Sequence, residues 1–118
     1  VFEMIFFATD AGRQPVKEFL DTLDVKMRNK VLDNLKHLQI HGHHLREPYS
    51  KPLGDGIFEL RTRLGSDITR VLYFFFVGKR IVLTHGFVKK TQKIPLQEIE
   101  RAKEYRAMYH KREENSNG

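Results

Sequence analysis

Residues 56–93 read GIFELRTRLGSDITRVLYFFFVGKRIVLTHGFVKKTQK, three runs rich in aromatic and β-branched residues broken at Gly65-Ser66 and Gly78-Lys79. Such runs, bounded by glycine-containing pairs, read as β-strands joined by hairpins. Charge is concentrated in the same stretch. From Arg61 to Lys93 there are eight lysines and arginines against the single acid Asp67, a surplus of seven, while the whole chain carries +6. The remainder is therefore close to neutral, and the predicted sheet is a surface suited to an anionic ligand.

The turns set the register. Glycine takes the first central position of a type II′ two-residue hairpin loop without strain. With Gly65-Ser66 as that loop, Leu64 faces Asp67 and Arg61 lies opposite Arg70. Treating Gly78-Lys79 in the same way pairs Val77 with Arg80 and sets Arg70 opposite Phe87. Glu59, Leu72 and His85 form the next row. All six side chains then share one face, because side chains alternate along a strand. The other face carries Phe58, Leu60, Val71, Tyr73, Phe75 and Val82 and is expected to pack on helices. The run VLYFFFV is apolar on both faces, so the central strand requires cover on both sides. A four-residue first loop pairs Arg63 with Arg70 instead; a three-residue loop exchanges the faces.

Facing guanidinium groups destabilise a sheet by ~0.2–1 kcal/mol unless something neutralises them. Two readings follow: a structural ion pair, with Glu59 on the same face as the carboxylate, or a phosphate held between the two arginines, whose planar forks suit its oxygens.

Working outward, Phe2–Ala8 (FEMIFFA) reads as a first strand and Thr9–Gly12 as a turn. Pro15 suits the first position of a helix, where no N–H is needed. Val16, Phe19, Leu20 and Leu23 give that helix an apolar stripe. Asp24 is a candidate N-cap for a second helix, in which Met27, Val31, Leu35 and Leu38 recur at helical spacing, Leu32 widens the stripe, and Gly42 ends it. Residues 43–55 (HHLREPYSKPLGD) contain two prolines and a glycine and read as a loop. Pro95 opens a third helix with Leu96, Ile99, Ala102 and Tyr109 along one side. The expected domain spans residues 1–112, with 113–118 a polar, frayed tail. The order β-α-α-β-β-β-α predicts an α+β fold: a small antiparallel sheet with two N-terminal helices and one C-terminal helix.

Composition narrows the function. The 118 residues suffice for one modest core. There is no cysteine, which excludes disulfides, thiolate catalysis and Cys-ligated zinc and fits a reducing cytoplasm. The longest apolar run, Val71–Val77, is too short to span a bilayer, and no secretion signal is evident. A pI of about 9.7 suits nucleic acid or an acidic protein as partner. No glycine-rich phosphate loop, paired-histidine metal motif or serine elbow occurs. His41, His43 and His44 lack companion carboxylates and read as surface histidines, so neither metal nor cofactor is expected.

If the anion is RNA, cleavage without a cofactor lets the 2′-hydroxyl attack the adjacent phosphate. That reaction needs a base, cations facing the charge that develops on phosphorus, and an acid for the leaving oxygen. Arginine stays protonated, so Arg61 and Arg70 are stabilisers of the transition state on this reading. A lysine among several cations has its neutral form favoured, which makes Lys89, Lys90 or Lys93 base or acid candidates. As a bland alternative, these three form a solvated charge run. His85 and Glu59 are the other proton-transfer candidates. Phe87 is placed to stack a base, Lys51 to reach the phosphate backbone, and Arg63 and Lys89 extend the RNA-binding surface.

The segments KPLGDGIFELRTR, RVLYFF and IVLTHGFVKKTQKIPLQEIERA resemble the HigB branch of the RelE-like toxins, close to a phage-derived group. The resemblance covers nearly the whole chain. It is carried best by Leu60-Arg61 with the later Arg70, and by His85-Gly86-Phe87 followed by Lys89-Lys90-Thr91. It implies a RelE-like fold and the toxin of a type II toxin–antitoxin module, a metal-independent endoribonuclease that cuts mRNA on the ribosome. It further implies a helix-turn-helix antitoxin of the HigA kind as partner, with operator DNA bound only through that complex. By position, Arg61 and Arg70 match the family's sheet arginines, Lys89, Lys90 and Lys93 fall near its last-strand cation, and Lys51 matches a loop cation loosely. Relatives with a C-terminal catalytic tyrosine differ from this chain, whose next tyrosine after the basic run is Tyr105. Two other readings stand beside this one: a toxin of the same fold that poisons DNA gyrase by protein contact, and a non-catalytic RNA-binding or partner-binding module.

Overall fold

The computed structural model describes residues 1–88 and 93–117. Its elements are strand β1 (Glu3–Phe6), helices α1 (Pro15–Thr22) and α2 (Val25–His41), a short 3-10 turn (Gly42–His44), strands β2 (Ser50–Gly54), β3 (Ile57–Leu64), β4 (Asp67–Phe76) and β5 (Arg80–Val88), and helix α3 (Leu96–Asn117). The five strands form one sheet in the order β1-β5-β4-β3-β2. From β2 to β5 the pairing is antiparallel, and β1 joins the β5 edge in parallel. The fold is α+β, as expected, with that parallel pair an addition to the antiparallel sheet.

Local chemistry explains the helix limits. Pro15 begins α1. Asp24 caps α2, its Oδ1 accepting from the Met27 N–H at 3.0 Å. Gly42 ends α2 at φ +51°, and a Cβ there would fall 2.0 Å from the Phe2 ring, so glycine is required for both conformation and space.

The two sheet faces carry separate cores. On one, Leu60, Val71, Tyr73, Ile81 and Leu83 pack on Val16 and Leu20 of α1 and on Met27, Val31, Leu35 and Leu38 of α2. On the other, Ile57, Leu72, Phe74 and Val82 pack with Phe7 and with Ala102 of α3, where Tyr105 stacks on Phe7 at 4.6 Å. The central strand is thus covered on both sides, as VLYFFFV demanded.

The first hairpin has the expected register, with Leu64 opposite Asp67 and Arg61 opposite Arg70. Gly65 has φ +62° and Ser66 is not left-handed, the type II′ arrangement. The second hairpin departs from expectation. Phe76, not Val77, pairs with Arg80, so the loop has three residues, Val77–Lys79. A bulge at Thr84 then inserts one extra residue between the Tyr73–Leu83 and Leu72–His85 pairs. The two irregularities cancel, and Arg70 lies opposite Phe87 as expected. Between the loop and the bulge the faces are exchanged, which is why Val82 packs against α3 and not with Phe58.

Other corrections are local. The segment expected to be a loop contains β2, an edge strand that tolerates Pro52 because an outward-facing edge position needs no N–H. Leu32 and Leu96 are exposed and not part of their helices' buried stripes. Helix α3 continues to Asn117 through the segment expected to fray. It is held there by ion pairs from Arg80 to Glu113 and from Arg112 to Asp10, and by Arg112 donating to the Ala8 carbonyl.

Candidate functional site

Two strand rows build the site on the α3-facing side of the sheet. Lys51 on β2 is opposite Glu59 on β3, which is opposite Leu72 on β4 and then His85 on β5. The neighbouring row runs Arg61, Arg70, Phe87. Lys51 therefore belongs to a strand and not to a preceding loop, and its position beside Glu59 is fixed by the sheet.

Helix α3 crosses this face, touching β5, β4 and β3 and reaching Asp55 at the β2–β3 turn through Lys103 and Arg106. Beside the start of α3 lies a cavity of about 310 Å³, lined by Lys51, Leu53, Glu59, Arg61, Arg70, Lys93, Ile94 and Ile99. Among the described residues four cations and one carboxylate converge on it, with three aliphatic side chains as its walls. Leu53, Ile94 and Ile99 carry no chemistry in a sequence reading, and only the fold identifies them as pocket walls.

The two arginines have different environments. Arg70 is 3% exposed, and its Nη1 donates to Glu59 Oε2 at 2.7 Å; Glu59 itself is 1% exposed. Arg61 keeps 24% of its side chain exposed, with Nε 3.7 Å from Glu59 Oε1, longer than a hydrogen bond. Burial draws the Arg70 guanidinium below its ordinary pKa, Glu59 opposes this, and Arg61 adds to the lowering. An arginine remains charged throughout. Glu59 therefore neutralises the facing guanidiniums. Arg70 anchors it, and Arg61 is the arginine presented to the cavity.

Arg61 is also held by its backbone. Its N–H donates to the Tyr49 carbonyl at 2.8 Å, and its carbonyl accepts from Asn34 Nδ2 at 3.3 Å. Asn34 Nδ2 also donates to Thr62 Oγ1 at 3.0 Å. An asparagine inside the apolar stripe of α2 was visible in the sequence as a polar interruption; the structure uses it to tie α2 to the strand that carries Arg61.

His85 stands apart from the arginines. It is buried beneath α3 and lines a different cavity, of about 360 Å³, with Arg101 and Tyr105 of α3 and Phe19 of α1. Thr84 Oγ1 donates to the Leu72 carbonyl at 3.1 Å, so it accepts from His85 Nδ1–H at 3.1 Å, which leaves the lone pair on Nε2. Nε2 lies 3.3 Å from Glu98 Oε1 but out of line for a hydrogen bond. Burial, assisted by Arg101, lowers the His85 pKa to about 4, so the ring is neutral at pH 7. It is consequently no proton donor at that pH. Phe87 packs partly buried beside the α3 core, its ring 5.8 Å from that of His85.

Of the remaining expected residues, Arg63 is exposed and lines a second cavity that meets the first at Arg61. Lys93 lines the first cavity. Lys89 and Lys90 lie outside the described residues. Among the described residues no group of three or more His, Cys, Asp or Glu side chains is arranged to hold a metal ion. His43 is stacked on Phe75, with ring centroids 3.8 Å apart. Among the described residues no helix is long and apolar enough to cross a membrane.

Fold and site together define a small α+β domain with a cationic pocket on a sheet face. Residues 18–107 match the family described as phage-derived protein Gp49-like (DUF891), and the chain belongs to that family. This family is associated with toxin–antitoxin modules and is related to the RelE and HigB toxins, and membership implies an antitoxin partner. No curated protein matches the chain.

Proposed function

We propose that this protein is a toxin that cuts mRNA, with the cavity around Arg61 as its active site. The observation that carries this reading is the convergence of Lys51, Arg61, Arg70 and Lys93 on one cavity containing a single carboxylate. Glu59 offsets one of these charges, and the remaining positive surplus suits the phosphates of an RNA strand. Membership of a toxin–antitoxin-associated family supports the same reading.

In the proposed reaction the 2′-hydroxyl oxygen forms a bond to the neighbouring phosphorus while the bond to the 5′-oxygen breaks. The products are a 2′,3′-cyclic phosphate and a 5′-hydroxyl. Arg61 faces the developing charge on the phosphoryl oxygens, and Arg70 acts through Glu59 as a positioning residue. Glu59, the cavity's carboxylate, takes the 2′-hydroxyl proton, and the Lys93 ammonium supplies one to the leaving oxygen. Lys90, outside the described residues, is an alternative donor. Lys51, Arg63 and Lys89 hold flanking phosphates, and Phe87 is the base-stacking candidate. Buried His85 is given a structural role, in keeping with its neutral ring and its place in a different cavity. No step requires a metal.

The proposed setting is the cytoplasm, with ribosome-bound mRNA as substrate and a HigA-like helix-turn-helix antitoxin as the neutralising partner that links the toxin to operator DNA. Induction of the protein without antitoxin should halt growth and create new mRNA 5′ ends in primer extension, and Arg61→Ala should abolish both. Growth arrest with intact mRNA and a gyrase-linked DNA-damage response would replace this reading with gyrase poisoning.

A further inference from the structure

The second cavity, of about 330 Å³, opens where β2 stops covering β3. Strand β2 pairs with β3 only as far as Leu60, after which the outer edge of Arg61–Leu64 is bordered by α2 and by the loop at Pro48-Tyr49. Among the described residues that line it, Lys30, Arg61 and Arg63 bring three cations and there is no carboxylate. Among the described residues the ion pairs include neither Lys30 nor Arg63. This contrasts with the first cavity, where Glu59 is built in.

An independent feature lies at its rim. Tyr49 is 47% exposed, yet its backbone is pinned by the bond from Arg61. Its ring lies within 12° of parallel to that of His37, which lies within 11° of parallel to that of His41, at centroid separations of 6.2 and 6.3 Å. All three rings are on the surface. Exposed, near-parallel aromatic planes beside unneutralised cations suit single-stranded nucleic acid, where bases stack on rings and phosphates meet the charges. A folded duplex offers no free base faces to such a platform.

We propose that this edge is a second nucleotide-binding subsite for single-stranded RNA, with Tyr49 stacking a base and Lys30 and Arg63 holding the adjoining phosphate. Arg61, shared by the two cavities, joins the subsite to the site of cleavage. The strand then runs along the open edge of β3, and nucleotides flanking the cut contribute to affinity. This rests on the ribonuclease reading and extends it.

The test uses purified protein and fluorescein-labelled, fully 2′-O-methylated RNAs of three and nine nucleotides, which lack the attacking hydroxyl. Binding is read by anisotropy across a salt series. Wild type should bind the nonamer more tightly than the trimer. Tyr49→Ala should weaken nonamer binding by roughly five- to a hundredfold, the range of one lost stacking contact, and leave trimer binding unchanged. Tyr49→Phe should stay within about twofold of wild type. Lys30→Gln with Arg63→Gln should flatten the log–log salt slope by about 0.7, the contribution of the one single-strand phosphate they hold. Equal nonamer affinity for wild type and Tyr49→Ala would overturn the subsite while leaving the ribonuclease reading intact. Failure of wild type to bind either RNA in a salt-dependent way would overturn both.

Discussion

Removing Glu59 should be among the most damaging single changes in the chain. Glu59 is 1% exposed and Arg70 3%, joined at 2.7 Å, so Glu59→Ala leaves a buried guanidinium facing Arg61 with no carboxylate between them. Breaking a buried pair from one side costs about 3–5 kcal/mol. For a chain of 118 residues, an unfolding entropy of about 2.1 cal/mol/K per residue turns that into a fall in Tm of roughly 12–20 °C. Arg70→Ala should cost less, because Arg61 Nε at 3.7 Å still partly compensates the Glu59 carboxylate. The double variant Glu59→Leu/Arg70→Met removes both charges and should recover most of the loss. Urea unfolding followed by circular dichroism measures all three. If Glu59→Ala lies within about 1 kcal/mol of wild type, the pair behaves as a solvated surface contact and the reasoning is wrong.

Stability should also fall in mild acid through His85. The folded ring takes up a proton near pH 4, against an ordinary value of 6.5. Between these values the unfolded chain binds more protons, so the contribution is fully present above about pH 6.5 and is lost as pH falls toward 4. A shift of this size corresponds to about 3 kcal/mol; urea unfolding at several pH values should show that slope, and His85→Gln should remove it. Gly86→Ala places a Cβ 2.4 Å from the Phe19 ring, where α1 packs on β5. It should destabilise the fold by about 1–3 kcal/mol through overpacking, and an unchanged urea midpoint would contradict that contact.

The arginine row was legible because one feature fixed it: Gly65-Ser66 as a two-residue turn sets Arg61 opposite Arg70, whatever follows. The helices were legible from Pro15, Asp24 and Gly42, whose roles depend on backbone chemistry within one turn. Strand β2 was hidden by Pro52 and Gly54, which read as loop residues but suit an edge strand. The Thr84 bulge has no local signature, since it compensates a loop one residue longer than expected. The sequence placed Glu59 and Arg70 on one face. It could not show that Glu59 and Arg70 are buried where they line the cavity while Arg61 is more exposed, because that depends on how α3 lies across the sheet. Lys30, Tyr49 and Asn34 come from segments remote from the basic stretch and meet Arg61 only through the packing of α2 and the Pro48 loop on β3.

Cleavage by 2′-hydroxyl attack at Arg61 leaves a signature in the chemistry of the cut ends. Ribosome-bound mRNA treated with the purified protein should yield 5′ fragments ending in a 2′,3′-cyclic phosphate and 3′ fragments beginning with a 5′-hydroxyl, as read by mass spectrometry. Folded Arg61→Ala should yield neither. Fragments that carry 5′-phosphates, or undiminished cutting by Arg61→Ala, would contradict it.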